Sequence, residues 1–184
     1  LNAQDSLVNT YIDISKIKFQ QNIISYSGTA YAVKNEQPET AYPTLKFTNG
    51  SLHKGAIPVD HVTKKLFLKF KVANTADSAA SAYFFPGLYY EQIKLFKEVN
   101  GALQALPDIL TADNNIGFRN IPIQPKDSFT VIAALTFVKT YNNHLRPRLI
   151  SPEFLSSFIS VYKNSHNEMD LITYILCGLL LMMI

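Results

Sequence analysis

Hydrophobic and polar positions alternate most regularly across residues 66–74. Leu66, Leu68, Phe70 and Val72 fall on one face, and Phe67, Lys69 and Lys71 fall on the other. That period of two predicts an antiparallel strand with one buried face. Residues 75–78 end it as a turn. Residues 82–85 form a second apolar strand, closed by Pro86-Gly87. From 89 to 99, Ile93 and Leu95 share a face, with Lys94 and Phe96 opposite. Asn100-Gly101 is a two-residue hairpin signal, and 102–106 is the return strand. Residues 116–123 read as a strand that Pro122 confines to an edge or an end. Pro125-Lys126-Asp127 is a turn, 128–139 a long strand, and 146–150 a last one.

The first third is less regular. Residues 11–14 and 17–19 alternate briefly, as an opening edge strand would. Residues 23–27 and 29–33 are two strands around Gly28. Residues 35–44 are polar, contain Pro38 and Pro43, and read as a loop. Residues 45–47 then meet Asn49-Gly50, a second two-residue turn signal. Residues 53–65 are another irregular segment. Short strands, Gly, Pro and Asn turns, and little helix before Ser151 predict a mainly β fold, an antiparallel β-sandwich or barrel over residues 4–150.

The pattern changes after Ile150. Ser151-Pro152-Glu153 is a helix start: serine as cap, proline at the first position, acid in the first turn. Phe154, Phe158 and Val161 are spaced for one face of a short connecting helix, residues 151–166. Ser165-His166-Asn167-Glu168 fits a capping box, so a second helix is expected to begin near Asn167. Residues 171–184 carry no charge and no proline. A spanning helix takes about 20 apolar residues, so this run is read as the first part of a membrane helix, residues 167–184, entering lipid near Leu171. The alternative is a C-terminal core helix.

Composition narrows the function classes. The net charge of +3 comes without a dense basic cluster, which argues against nucleic-acid binding. The lone Cys177 lies in the apolar run, so no disulfide and no cysteine metal site forms within the chain. The histidines lack ligand spacing. Leu1-Asn2-Ala3 resembles the end of a secretory signal, with Gln4 the first mature residue. With the apolar run, it suggests an exported domain with a membrane anchor.

No catalytic motif, phosphate loop or dinucleotide fingerprint is present, and no cofactor, metal or catalytic residue is expected. The chemically suggestive set is aromatic and cationic. Tyr83, Phe84, Phe85, Tyr89 and Tyr90 crowd around Pro86-Gly87, and Arg119, Arg146 and Arg148 follow later. Rings stack on apolar C–H faces while donors fix orientation, which suits a carbohydrate or another small polar ligand. Tyr89, Tyr90, Arg119 and Arg146 are the candidate ligand residues. Strand alternation also places half of such rings in a core.

The order of features resembles a known family. The strand at 66–75 is followed by Ile93-Lys94-Leu95-Phe96 and Asn100-Gly101, then Gly117-Phe118-Arg119, the Pro125-Lys126-Asp127 turn, a long strand and an apolar helix. This resembles the extracytoplasmic sensor region of bacterial seven-transmembrane receptors with diverse intracellular signalling modules. The chain departs from that family in having no tryptophan, and only Phe118 and Arg119 match its phenylalanine-to-arginine stretch. The resemblance implies a jelly roll of carbohydrate-binding type outside the inner membrane, in the periplasm, with no enzyme activity of its own. It implies a small polar or carbohydrate ligand, a membrane contact through residues 171–184, and possible homodimers. Other readings are a membrane-anchored assembly module without a small ligand, and a glycan hydrolase with two carboxylates across a cleft.

Overall fold

The computed structural model describes residues 10–53, 57–87, 90–108, 117–138 and 143–182. The expectations for Leu1–Ala3 and for Tyr89 lie outside the described residues. Among the described residues, eleven strands form two sheets. The larger holds β3 (Gly28–Val33), β4 (Thr48–Asn49), β5 (Lys64–Ala73), β7 (Tyr90–Val99), β8 (Ala102–Ala105) and β10 (Ser128–Phe137), in the order β4-β3-β5-β10-β7-β8. The opening strand β1 (Tyr11–Asp13) pairs in parallel with the end of β5. The smaller sheet has the order β2-β11-β6-β9, from β2 (Gln20–Asn22), β6 (Ala80–Phe85), β9 (Arg119–Ile123) and β11 (Arg148–Ile150). All other pairs are antiparallel. The chain crosses between sheets from β1 to β2, β2 to β3, β5 to β6, β6 to β7, β8 to β9, β9 to β10 and β10 to β11. The fold is a mainly β antiparallel sandwich.

The main core lies between the sheets. Leu66, Leu68, Phe70 and Val72 of β5 join Ile93, Leu95, Val131, Ala133 and Leu135 from one side. Ala82, Phe84, Ile121, Ile123 and Leu149 meet them from the other. Phe70 and Phe84 stack across the gap with centroids 5.5 Å apart. Each such fully buried side chain contributes about 1.5–3 kcal/mol of transfer free energy.

Both sheets are also partly covered on their outer faces, so the expected half-buried alternation holds along β5 from Leu68 to Ala73 but is corrected at Lys65 and Phe67, which are buried as well. Phe67 is fully buried, with Phe96, Ile132 and Ala134, beneath Tyr42. The segment read as a polar loop contains the short helix α1 (Pro38–Ala41) and a 3-10 turn, and its Ala41 and Tyr42 form that lid. A second short helix, α2 (Val59–Val62), lies before β5.

One strand expectation and one turn expectation fail for a local polar reason. Residues 23–27 form a 3-10 turn, Ile24–Tyr26, because Asn22 Oδ1 accepts the Ile24 N–H at 3.0 Å and Ser27 Oγ donates to the Ile23 carbonyl at 2.6 Å. Asn49-Gly50 does not close a hairpin. The Gly50 N–H donates to the Ser27 carbonyl at 2.8 Å, and a Cβ there would lie 2.6 Å from the Ile24 carbonyl oxygen. Only glycine permits that approach. Asn100-Gly101 does form the β7–β8 turn, with φ of 51° and 79° and Val99 paired to Ala102. Pro122 lies on β9, the edge of the smaller sheet.

The C-terminal helix α3 runs unbroken from Pro152–Met182. The expected second start near Asn167 is therefore corrected: a helix already under way supplies the carbonyls that a capping box would otherwise replace. Ser151 does cap the true start, accepting the Phe154 N–H at 3.3 Å. It also donates through Oγ to the Lys18 carbonyl at 2.9 Å and through N–H to the Phe19 carbonyl at 2.9 Å. The docked face is Phe154, Leu155, Phe158 and Ile159, which pack on Phe85 and Ile150 of the smaller sheet and on Phe118 just before β9. Val161 is exposed instead. Among the described residues, no helix is long and apolar enough to cross a membrane.

Asp13 fastens β1 to the end of β5. It accepts from the Ser15 hydroxyl at 2.6 Å and the Thr75 hydroxyl at 2.5 Å, with the Lys16 ammonium at 3.0 Å. Burial alone would raise its carboxyl; the bonds from Ser15, Thr75 and Lys16 outweigh that and hold it well below the ordinary value of 3.8. Its charge therefore stabilises the fold above that ordinary value, and the contribution is lost as pH falls below it. Asp13→Asn is expected to lose about 1–2 kcal/mol at neutral pH, discounted for partial exposure. Urea denaturation across acidic pH checks this, since the gap to the native protein should close as the pH falls. A gap that stays constant would show that the charge is not the source.

Candidate functional site

The candidate residues fall in two places. The first is a corner where the Pro86-Gly87 turn meets the 143–147 loop. The Arg146 N–H donates to the Pro86 carbonyl at 3.0 Å, which ties the loop to the turn. A Cβ on Gly87 would lie 3.3 Å from the His144 carbonyl oxygen and 3.8 Å from the Tyr90 ring, so these groups share one spot. The Tyr90 hydroxyl donates to the His144 carbonyl at 3.3 Å, and its ring packs on Phe137 at 5.3 Å. Burial, and then the neighbouring Tyr31, push the Tyr90 phenol well above its ordinary range. Tyr90 therefore stays neutral and acts as a donor. Arg146 is exposed at the rim of this corner.

Tyr31 and His61 extend the corner inward. Their rings lie 4.2 Å apart. Burial, then the Asp60 carboxylate, push the Tyr31 phenol up to about 12. His61 Nε2 lies 3.5 Å from Asp60 Oδ2. The Ile57 N–H, just before α2, donates to the Asn143 carbonyl at 2.7 Å and holds α2 against the same loop. Sequence reasoning left out Tyr31, His61 and His144. Their positions come from β3, α2 and a late loop, and no local spacing marks them as a group.

Arg119 stands elsewhere, at the start of β9, the edge strand of the smaller sheet. Its Nε donates to the Ile93 carbonyl at 3.1 Å and lies 2.9 Å from Asp108 Oδ1, and one terminal nitrogen donates to the Phe118 carbonyl at 2.9 Å. It therefore links β9 to β7 and is largely occupied by the protein itself. The crowded rings near Pro86 also divide. Phe84 lies in the main core, Phe85 lies under α3, and Tyr83 packs partly beside it.

Another polar cluster lies on the outer face of the larger sheet. Lys69 lies 2.9 Å from Glu98 Oε2, donates to the Tyr42 hydroxyl at 3.0 Å, and sits 5.6 Å from the ring centres of Tyr42 and Phe47. Burial would raise Glu98, but Tyr42 and Lys69 outweigh it and lower its carboxyl. Burial raises the Tyr42 phenol, and Glu98 adds to this. The cluster pins the Tyr42 lid onto β5 and β7.

The far end of α3 is also exposed. Tyr174, Ile175, Leu176 and Cys177 are all exposed, as are Leu179 and Met182. Four consecutive residues cover a full turn, so apolar side chains point to every side of the helix. Compared with known proteins, the chain matches no family model and no curated protein.

Proposed function

We propose that this chain is the extracytoplasmic sensing domain of a membrane signalling receptor, with a jelly-roll sandwich that takes a carbohydrate or another small polar ligand. One observation carries the reading. A single helix, α3, is docked on the smaller sheet at one end and presents apolar surface all round at the other. A helix built for one protein partner carries an apolar stripe, whereas lipid asks for apolar residues on all sides. In this reading α3 begins a membrane span near Leu171, the sandwich stands outside the inner membrane, and any catalytic output lies in other domains. A ligand acts by binding two arrangements of the sandwich and α3 with different affinity.

The ligand corner is Tyr90, His144 and Arg146, with Arg146 as the exposed contact. Arg119 serves as a structural link whose shift reaches α3 through Phe118. A second reading, an assembly module without a small ligand, is favoured by one fact: Tyr90 and Arg119 already spend donors within the fold.

Two measurements test this. The chain is expected to float with phospholipid vesicles, and the double variant Leu176→Asn/Leu179→Asn is expected to remain folded and stay in the aqueous phase. Equal flotation of both would remove the lipid reading. In a thermal-shift panel of mono- and disaccharides, a stabilising sugar is expected whose effect is lost in Arg146→Ala. Vesicle binding with no stabilising sugar moves the assembly reading ahead.

A further inference from the structure

The chain has two Asn-Gly dipeptides, and the fold treats them in opposite ways. At such a pair the glycine amide nitrogen can attack the asparagine side-chain carbonyl carbon. A C–N bond forms, ammonia leaves, and a five-membered imide results. Water then opens the imide at either carbonyl, giving aspartate or isoaspartate. The step needs a glycine nitrogen free of strong hydrogen bonding, an asparagine side chain free to turn, and water.

At Asn49-Gly50 these conditions fail. The Gly50 N–H donates to the Ser27 carbonyl at 2.8 Å. Asn49 Oδ1 accepts the Ser51 N–H at 2.9 Å, which fixes the side chain. Gly50 is buried against the Ile24 and Ser27 carbonyls. At Asn100-Gly101 they hold. Both residues are exposed, and a Cβ on Gly101 would meet nothing within 4 Å. The turn is closed by the Val99–Ala102 pair, so the two central amides stand outside the ladder.

We propose that Asn100 is a modification site, converting to aspartate and isoaspartate in the folded protein, while Asn49 is protected. Isoaspartate adds a backbone carbon to a two-residue turn whose geometry sets the strand register. The product loosens β8, an edge strand whose Leu103 packs on the outer cluster around Phe67 and Phe96.

The test ages the full chain in mildly alkaline buffer, folded and in urea, and follows tryptic peptides by mass spectrometry. Residues 47–54 report Asn49 and residues 98–119 report Asn100, with fragmentation placing the site. In the folded chain Asn49 is expected to convert at least about tenfold more slowly than Asn100, because its hydrogen bonds must open first. In urea the two rates are expected to converge. Asn100→Gly keeps a turn of the favoured type and removes the chemistry, so after ageing its β8 amides should retain the hydrogen-exchange protection that the aged native chain loses. Equal rates at both sites in the folded chain would overturn the proposal. So would an Asn100 that converts only in urea.

Discussion

Asn74→Asp is expected to destabilise the sandwich by about 3–5 kcal/mol, the cost of a buried charge without compensation. Asn74 is 1% exposed at the end of β5. Its Nδ2 donates to the carbonyls of Ser78 at 2.8 Å, Gln124 at 3.1 Å and Ile123 at 3.4 Å, and its Oδ1 accepts the Ala76 N–H at 3.1 Å. Its own N–H donates to the Asp127 carbonyl at 2.9 Å. One side chain thus joins the β5–β6 turn to the β9–β10 turn, and its amide satisfies both. A carboxylate keeps the bond to Ala76 but points its second oxygen at three carbonyl oxygens. Asn74→Ala leaves the same carbonyls without a donor and is expected to cost less, about 2–3 kcal/mol. Urea denaturation measures both. The charged variant carries a further sign. Its introduced carboxyl has a raised folded-state pKa, so stability should be lost as pH rises and partly regained on acidification relative to the native protein at the same pH. Equal losses for the two variants at every pH would show that the carbonyl cluster is not what Asn74 serves.

Asn74 also shows what a sequence can disclose. The period of two in residues 66–72 predicts β5, and the Asn100-Gly101 and Pro125-Lys126-Asp127 signals predict two of its turns, because each depends on neighbouring residues alone. Pro122 similarly marks an edge, since it has no N–H to give. Phe67 defeats the same reasoning. It alternates with lysines, yet it is buried because Ala41 and Tyr42, from an earlier segment, close over it. Residues 23–27 have strand composition, but Asn22 and Ser27 offer the backbone a competing turn. The capping box at Ser165 reads as a helix start because it is local; the helix already running from Ser151 is not visible in those four residues.

The candidate site divides along the same line. Tyr90 and Arg146 are adjacent in the fold, and residue type alone pointed to them. Their link, however, is the approach of Gly87 to the His144 carbonyl, which only the crossing between sheets creates. Arg119 shows the opposite case. An arginine after a phenylalanine reads as a ligand contact, while its hydrogen bonds to Ile93 and Phe118 make it a brace. Local chemistry identifies which groups can recognise a ligand. Topology decides which of them still have donors to spend.

Phe118→Ala is expected to release the start of α3 while the sandwich stays folded. Phe118 is 3% exposed. Its ring stacks on Phe85 at 4.9 Å and meets the edge of Phe158 at 5.9 Å, and Phe85 meets Phe158 at 5.6 Å. Arg148 lies over the outer face of Phe158 at 5.9 Å. Three rings, one each from β6, the lead into β9, and α3, therefore form the joint between sheet and helix. Truncating a buried phenylalanine costs about 3–5 kcal/mol, from lost transfer energy and the cavity left behind. Here the loss falls on a satellite cluster and not on the main core, so it is expected in the docking of α3. Hydrogen exchange should show lost protection in residues 154–160, with β5 and β10 unchanged. Phe84→Ala, in the main core, should instead lower protection in both sheets. If Phe118→Ala lowers protection everywhere alike, α3 and the sandwich form one cooperative unit, and the helix cannot move independently to carry a signal. If only α3 is released, the helix can undock while the sandwich stays folded, as the proposed sensor requires. Arg119, which donates to the carbonyls of Ile93 and Phe118, ties that joint to β7.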